Sequence, residues 1–392
     1  MPAAVLLLRY TRARRVLAQD GGLRPDPASP ARWLAIPALV AKPWMDRIEG
    51  ATPFLLSCTY KASKTMPDVI LKNVPGMAAA MPVPVLNANA LTERVFKGEY
   101  VANSRPCLIK GAVSHWPAMR KWHDREYLKR VCGSQQVPFW PHENHVTQKR
   151  IAPGNSSIPF AEAIDRLHDA EREEVAAIGC NPGTAEMAAD IGGFSFFTEG
   201  ELGFSYPPFR FFIFRNAGSS WHYHSFDETL MCQVVGTKRV GLLKVDNPHR
   251  KALCRIFSQE DYYEDPSAFD ELADENLQWF SANLDEGDTL YIPPLWWHGV
   301  IVTSDRVGVT TPVSWRSPPH VIAESLQKMA AGKLDLTGIY NADQFRQLLD
   351  AARKLGLERE LEIAWKRGVA DQQVSLMNQF GARMAQTAWP PI

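Results

Sequence analysis

The sequence has no apolar run close to the length of about 20 residues that a membrane-spanning helix requires, so no membrane span is predicted. It also has no excess of either charge, because Lys and Arg together number 43 and Asp and Glu together number 43. A balanced charge removes the general attraction that many nucleic-acid-binding and membrane-surface proteins use. Neither nucleic acid nor a membrane surface is therefore favoured as a partner.

Cysteine is scarce and follows no pattern: the 392 residues hold six, with no Cys-x-x-Cys pair. Such scattered thiols argue against a structural zinc site and against a disulfide scaffold. A reducing compartment follows, and we expect a cytoplasmic protein. The first 19 residues carry four arginines and no acidic residue. This composition weakly resembles an organelle transit segment, so an organellar location is the alternative.

The order of predicted elements divides the chain into three regions. Residues 1–83 hold several proline breakers and show no clear period, and we read them as an N-terminal extension. Residues 84–316 contain a helical lead-in and then many short apolar strands separated by turn residues, which is typical of a β-barrel or a double-sheet jelly roll. Residues 317–392 return to helical periods. The prediction is a mainly β protein with a double-stranded β-helix (jelly roll or cupin) core, an N-terminal α/β extension and C-terminal helices.

The C-terminal region is predicted to form helices at 321–331, 343–355 and 357–367, with a fourth at 371–386. Three interpretations stay open: these helices cover the barrel, provide the interface of a homodimer, or are solvated surface helices.

Three of the ten histidines lie at the ends of two predicted strands. His222 and His224 follow the apolar run at residues 209–214, and because side chains alternate along a strand they point to the same face. His298 ends a second apolar segment, which begins at Gly287. Two imidazoles from one strand and a third from a remote strand form an arrangement with which a β-barrel holds a transition metal.

Several short motifs accompany these histidines in a fixed order. A Gly-x-Lys-Arg motif lies at 236–239, Gly-Asp at 287–288 and Trp-Trp-His at 296–298, with Pro293 between the last two. Together they resemble the JmjC and cupin-like oxygenases, and most of all the asparaginyl-hydroxylase type, over residues 91–316. The resemblance implies an Fe(II)- and 2-oxoglutarate-dependent dioxygenase that hydroxylates a protein side chain or a small molecule.

The resemblance also implies roles for individual residues. By match to the family, His222 is the first iron ligand and His298 the distal one. Lys238 matches the lysine that binds the far carboxylate of 2-oxoglutarate. Ser219 stands where the family often has a hydroxyl that helps to hold that carboxylate, and Tyr206 is a candidate for the wall of the same pocket.

One position departs from the family pattern, since His224 stands where a carboxylate is expected. Three interpretations stay open: His224 is itself a ligand, Asp227 or Glu228 supplies the carboxylate through a local bulge, or the site has lost its metal and its activity. The pattern His-x-His-x3-Glu with a later His also resembles the general cupins. On an unbroken strand, positions 222, 224 and 228 share one face. We therefore favour the three histidines with Glu228 as the carboxylate and Asp227 as the alternative.

Two other functions remain open at this point. One is a metal-dependent cupin dioxygenase with a three-His, one-Glu site that does not use 2-oxoglutarate. The other is a non-catalytic cupin-like binding protein. A requirement for 2-oxoglutarate separates the first of these from the oxygenase that the resemblance implies.

Overall fold

The computed structural model of the protein describes residues 69–141, 157–169, 176–181, 184–198, 200–204, 210–215, 218–245, 249–258, 266–272, 277–304, 307–334, 336 and 342–370. Most of the predicted N-terminal extension, Tyr206 and the predicted helix at 371–386 lie outside these residues.

Within the described residues the chain forms fourteen strands, most of them short. In chain order they are β1 (Met81–Pro82), β2 (Val85–Asn87), β3 (Cys107–Lys110), β4 (Gln136–Pro141), β5 (Ser157–Pro159), β6 (Ala176–Asn181), β7 (Phe211–Arg215), β8 (Gly218–His222), β9 (Asp227–Val235), β10 (Lys238–Lys244), β11 (Phe280–Leu284), β12 (Thr289–Ile292), β13 (Trp296–Val302) and β14 (Gly308–Arg316).

The strands pair into two sheets. A five-stranded sheet has the order β1-β11-β10-β13-β8, and a nine-stranded sheet has the order β2-β3-β12-β9-β14-β7-β6-β4-β5. Most neighbours in each sheet are far apart in sequence and antiparallel, as in a jelly roll. The predicted jelly-roll core with helical additions is therefore confirmed.

Helices precede, interrupt and follow the strands. The α-helices of the described residues are α1 (Val69–Lys72), α2 (Glu93–Val95), α3 (Ala118–Lys121), α4 (Arg125–Cys132), α5 (Phe160–His168), α6 (Ala185–Ala189), α7 (Arg250–Ser258), α8 (Pro319–Ala330), α9 (Ala342–Lys354) and α10 (Glu358–Ala370). Short 3-10 helices span Met77–Ala79 and Pro266–Leu272, and a π-helical turn spans Phe96–Val101. Of these helices, none is long and apolar enough to cross a membrane.

Apolar side chains form three clusters, one between the sheets and one outside each sheet. The inner core takes residues from both sheets, among them Val240, Leu242, Leu290 and Val300. The layer outside the nine-stranded sheet, here called the aromatic layer, joins β9, β12 and β14 to the helices of residues 93–197. A third cluster joins the five-stranded sheet to α1, α7 and the C-terminal helices.

The C-terminal helices α8, α9 and α10 share a buried apolar cluster with side chains of the five-stranded sheet. Leu326, Phe345 and Trp365 belong to the same buried cluster as Trp221 and Trp297 of that sheet. The predicted helices at 321–331, 343–355 and 357–367 are thus present, and buried side chains of all three belong to this cluster. The predicted homodimer stays a prediction.

Trp221 lies across two glycines on neighbouring strands. Gly241 and Gly299 face each other in the register of β10 and β13. A Cβ atom on Gly299 would lie 2.8 Å from Cε2 of the indole, and one on Gly241 would lie 2.9 Å from its Cη2. The indole also donates to the carbonyl of Ile70 at 2.9 Å. The missing side chains therefore let Trp221 connect α1 to the strand that ends in His222.

We expect Gly299→Ala to destabilise the protein by about 1–3 kcal/mol, because the added methyl group overpacks the space under Trp221. The midpoint and slope of urea unfolding measure the effect. Gly98→Ala is the matched control, since a Cβ there meets no atom within 4 Å. If the two variants unfold at the same urea concentration as wild type, the close contact under Trp221 is incorrect.

The alternation of side chains along β9 determines the face of the sheet on which Glu228 lies. Leu230, Cys232 and Val234 belong to the aromatic layer, so Glu228, with the same parity, faces that layer too. There the Tyr291 hydroxyl donates to Oε2 of Glu228 at 2.6 Å. Burial raises the pKa of Glu228 to about 8, although the hydrogen bond from Tyr291 lowers it. Glu228 is thus a buried acid on the outer face of the nine-stranded sheet.

The raised pKa predicts a stability that falls with pH. From about pH 4.5 to about pH 8 the folded state holds a proton on Glu228 that the unfolded state has lost. The free energy of unfolding should therefore decrease by up to about 1.4 kcal/mol per pH unit in this window, relative to Glu228→Gln. Urea unfolding at several pH values between 5 and 8 measures this difference.

The exposed Glu99 gives the matched control for this pH series. Glu99→Gln should retain the wild-type slope. Parallel profiles for wild type and Glu228→Gln would contradict the assignment of a buried, protonated acid.

Candidate metal centre

His222 and His298 come together through the pairing of two strands. They are direct partners in the register of β8 and β13, and their ring centroids lie 4.1 Å apart. The register shifts between His298 and Val300, which faces Ser219 rather than residue 220. The shift is a bulge, that is, one extra residue in β8. It lets Ser219 and His222, which are three positions apart, both lie opposite inward-facing residues of β13.

His224 reaches the same point from the short link between β8 and β9. Its backbone carbonyl accepts from the N–H of Leu295 at 2.7 Å, which ties the link to the turn before β13. Leu295 holds a φ of 61°, a value uncommon for a branched residue. The ring centroid of His224 lies 4.9 Å from that of His298 and 5.7 Å from that of His222.

Together the three histidines form a group whose ligand nitrogens all lie within 4.8 Å of one another. His224 and His298 are buried, and His222 is partly exposed. Within the part of the chain that the structure describes, no other group of three His, Cys, Asp or Glu residues has this geometry. Imidazole donors suit iron, copper, nickel and zinc, so the donor set fits a transition metal.

Each of the two buried rings has a hydrogen-bond partner at Nδ1. Nδ1 of His298 lies 3.0 Å from the carbonyl oxygen of Trp296. A carbonyl only accepts, so this nitrogen carries the proton and Nε2 is the atom with which His298 would bind a metal. Nδ1 of His224 lies 2.8 Å from Oγ1 of Thr229. A partner at the far nitrogen is the usual support of a metal-binding histidine.

The buried rings are held in their uncharged form. Burial lowers the pKa of His224 and of His298 well below 6.5, and the neighbouring histidines and Arg210 lower it further. The neutral imidazole is the form that binds metals.

Neither of the two predicted carboxylates lies in the histidine cluster. The alternation used to place Glu228 assumed one continuous strand, whereas β8 ends at His222 and β9 begins at Asp227. The four residues between them break the alternation, and Glu228 faces the aromatic layer. The carboxylate of Asp227 accepts from the backbone N–H of Phe204 at 2.6 Å. Of the open interpretations, His224 is the residue that the structure brings to His222 and His298.

Lys238 lies on the same interior face as the histidines. It shares the parity of Val240 and Leu242 on β10, which belong to the inner core, and Leu242 is the register partner of His298. The side chain is 4% exposed, and its ammonium lies 3.6 Å from the ring centroid of Phe214 on β7. Burial lowers the pKa of Lys238 well below 10.5. Among the described residues no carboxylate pairs with it.

Of the other two residues predicted to bind the co-substrate, the structure describes only Ser219. Ser219 is buried and faces Val300 on β13, two positions from His298. Tyr206 lies outside the described residues.

Three polar residues next to His224 had no predicted role, namely Thr229, Ser314 and Arg210. The Thr229 hydroxyl lies 3.2 Å from the Ser314 hydroxyl, and Nη1 of Arg210 donates to Ser314 at 3.2 Å. All three are buried. A signal was present in the sequence, since Arg210 is the one charged residue in the apolar run at 209–214.

Comparisons with known proteins agree with this architecture. A family model described as "Cupin-like domain" matches residues 92–320, more than half of the chain. The chain is 26% identical over 251 residues to the Jumonji C domain-containing protein 5 of Drosophila melanogaster, covering 56% of each chain. It is 25% identical over 299 residues to the human tRNA wybutosine-synthesizing protein 5, covering 70% of this chain and 90% of the relative.

A third relative is the lysine-specific demethylase JMJ30 of Arabidopsis thaliana, 27% identical over 227 residues that cover 52% of this chain and 49% of the relative. The chain thus spans only about half the length of the first and third of these relatives. The family model, the jelly-roll fold and the JmjC relatives lead to one conclusion: the chain belongs to the JmjC and cupin-like protein family.

Proposed function

We propose that the protein is an Fe(II)- and 2-oxoglutarate-dependent oxygenase that hydroxylates a protein side chain or a small molecule. The observation that carries the proposal is that a three-histidine cluster and a buried lysine lie on the same inner face of one sheet. The first supplies a metal site, and the second supplies an anchor for a carboxylate.

In this proposal His222, His224 and His298 hold the iron. Three protein donors leave other coordination positions open for a co-substrate and O2. When bound there, the iron supplies O2 activation coupled to the oxidative decarboxylation of 2-oxoglutarate to succinate. The chain's own contribution is to orient the donors, to keep the two buried rings neutral and to exclude water from the interior.

Lys238 is proposed to bind the far carboxylate of 2-oxoglutarate. Taking an ammonium out of water is costly unless an opposite charge accompanies it, and no described carboxylate does so. A bound carboxylate would provide that charge and would favour the protonated amine. Ser219, which faces Val300 between the levels of Lys238 and His298, is proposed to donate to the same group. Tyr206 is proposed as a further residue of this pocket.

The relatives' names refer to lysine demethylation and to the modification of tRNA. The fold does not choose among such substrates. The equal numbers of acidic and basic residues in this chain favour a protein or a small molecule over nucleic acid.

A second candidate is a metal-dependent cupin dioxygenase that does not use 2-oxoglutarate. It is favoured by one observation, namely that the described cluster consists of three histidines without a carboxylate; this candidate is therefore a three-histidine site that lacks the Glu228 of its sequence pattern. In this case an anionic substrate would bind the metal directly.

We expect the protein, loaded with Fe(II) without oxygen and then given 2-oxoglutarate and O2, to form succinate without added substrate. His298→Ala should abolish this turnover, because two of three donors remain. His320→Ala is the matched control, since His320 is exposed and lies outside the cluster. The measurement is succinate per iron by chromatography. Absence of succinate and of 2-oxoglutarate binding by the iron-loaded protein would exclude this function and favour the second candidate.

Lys238→Met removes the buried charge and keeps an apolar side chain against Phe214. We expect 2-oxoglutarate to bind roughly 10- to 100-fold more weakly, since hydrogen bonds to charged groups contribute about 1.5–3 kcal/mol. Without 2-oxoglutarate the variant should be at least as stable as wild type, because an unpaired buried cation is lost. Calorimetric titration and thermal unfolding with and without 2-oxoglutarate measure the two effects.

Lys244→Met is the control for this experiment, because Lys244 lies exposed at the other end of β10. It should bind 2-oxoglutarate as wild type does. Equal affinity of Lys238→Met and wild type would remove Lys238 from the proposed site.

A further inference from the structure

A hydrogen-bonded pair of polar side chains, one from each of two neighbouring strands, lies next to His224. Thr229 and Ser314 are register partners on β9 and β14, and both have the parity that faces the interior, opposite to that of Leu230 and Trp315 of the aromatic layer. Their hydroxyl oxygens lie 3.2 Å apart. The pair therefore sits on two long strands of the nine-stranded sheet, with its hydroxyls aimed at the link that carries His224.

Arg210 lies at the end of this series of hydrogen bonds that is farther from His224. Its Nη1 donates to Oγ of Ser314 at 3.2 Å, and its backbone carbonyl accepts from the Thr311 hydroxyl at 2.9 Å. A guanidinium group only donates, so Ser314 accepts at this contact. The position of the Ser314 side chain is thereby fixed from the side away from His224.

The Nδ1 atoms of the two buried histidines have different kinds of hydrogen-bond partner. The Nδ1 proton of His298 is fixed by a backbone carbonyl, which no substitution removes. Nδ1 of His224 instead meets the Thr229 hydroxyl at 2.8 Å, and a hydroxyl either donates or accepts. His224 presents Nε2 to a metal only if Thr229 accepts from Nδ1–H. Thr229 then donates its own proton to Ser314, whose second lone pair is available beside the bond from Arg210.

We propose that Thr229, held by Ser314 and Arg210, is the positioning residue that makes His224 a metal ligand. The inference rests on the metal site of the proposed function and deepens it. His224 occupies the place at which the family pattern has a carboxylate. A carboxylate needs no fixed proton, whereas an imidazole does, so a histidine at this position requires a partner that the usual ligand does not.

The test compares Thr229→Val with Thr229→Ser. Valine keeps the shape of the side chain and removes the hydroxyl, whereas serine retains it. Co(II) serves as the metal probe, with affinity measured by competition with a chelator and ligand number read from the visible absorption spectrum. We expect Thr229→Val to weaken Co(II) binding about 10- to 100-fold, the range for lost partners of ligating histidines. Thr229→Ser should retain the affinity and spectrum of wild type, and Ser314→Ala should weaken binding less than Thr229→Val.

Thr310→Val is the matched control, because Thr310 is a buried threonine of β14 whose hydroxyl donates to Oε1 of Gln233 at 2.7 Å, not to a histidine. It should bind Co(II) as wild type does. NMR of the ring nitrogens in protein labelled at histidine supplies a readout that needs no metal. It should find the His224 proton on Nδ1 in wild type and in Thr229→Ser, and should find that preference lost in Thr229→Val.

The outcomes separate this inference from the proposed function. Co(II) binding without succinate formation would remove the oxygenase function and leave the positioning role intact. A Thr229→Val variant that binds Co(II) with wild-type affinity and spectrum would overturn the positioning role even in an active enzyme. Wild-type protein that binds no Co(II) would overturn both.

Discussion

Three imidazole rings can share one point inside the barrel because burial keeps two of them, His224 and His298, uncharged. Ring centroids 4.1–5.7 Å apart would bring like charges together in a medium of low polarity if the rings were protonated. Desolvation lowers the pKa of both buried rings, so the cluster is stable as neutral donors. A backbone carbonyl and a hydroxyl, which carry no charge, then suffice as partners for Nδ1.

The same constraint accounts for where the nearby carboxylates lie. An ionised carboxylate inside the barrel would need a metal or a cation beside it. Asp227 accepts from the backbone of Phe204, and Glu228 is directed away from the cluster into the aromatic layer, where burial raises its pKa. Lys238, in contrast, is a buried basic residue of the interior that has no acidic partner in the described part of the chain.

The sequence was sufficient to predict the jelly roll, the C-terminal helices and the three histidines, because each depends on a local pattern: short apolar strands, helical periods, and histidines beside strand ends. The position of Glu228 could not be predicted in this way. Alternation along a strand is a local rule, and it fails where four residues separate β8 from β9. Thr229 was missed for a related reason, since its contact with His224 arises only when β9 folds back against the link.

The replacement of a carboxylate by His224 changes the charge that a metal site presents to its ligands. A divalent ion with three neutral imidazoles has one more positive charge than the same ion with two imidazoles and a carboxylate. Such a centre attracts anionic ligands more strongly and needs one more negative charge to reach neutrality. Because 2-oxoglutarate is a dianion, one molecule would bring one carboxylate to the three-histidine centre and its far carboxylate to Lys238. A directly bound anionic substrate would satisfy the metal equally well but would give the buried amine of Lys238 no opposite charge. The position of Lys238 is therefore the feature that favours 2-oxoglutarate over the second candidate.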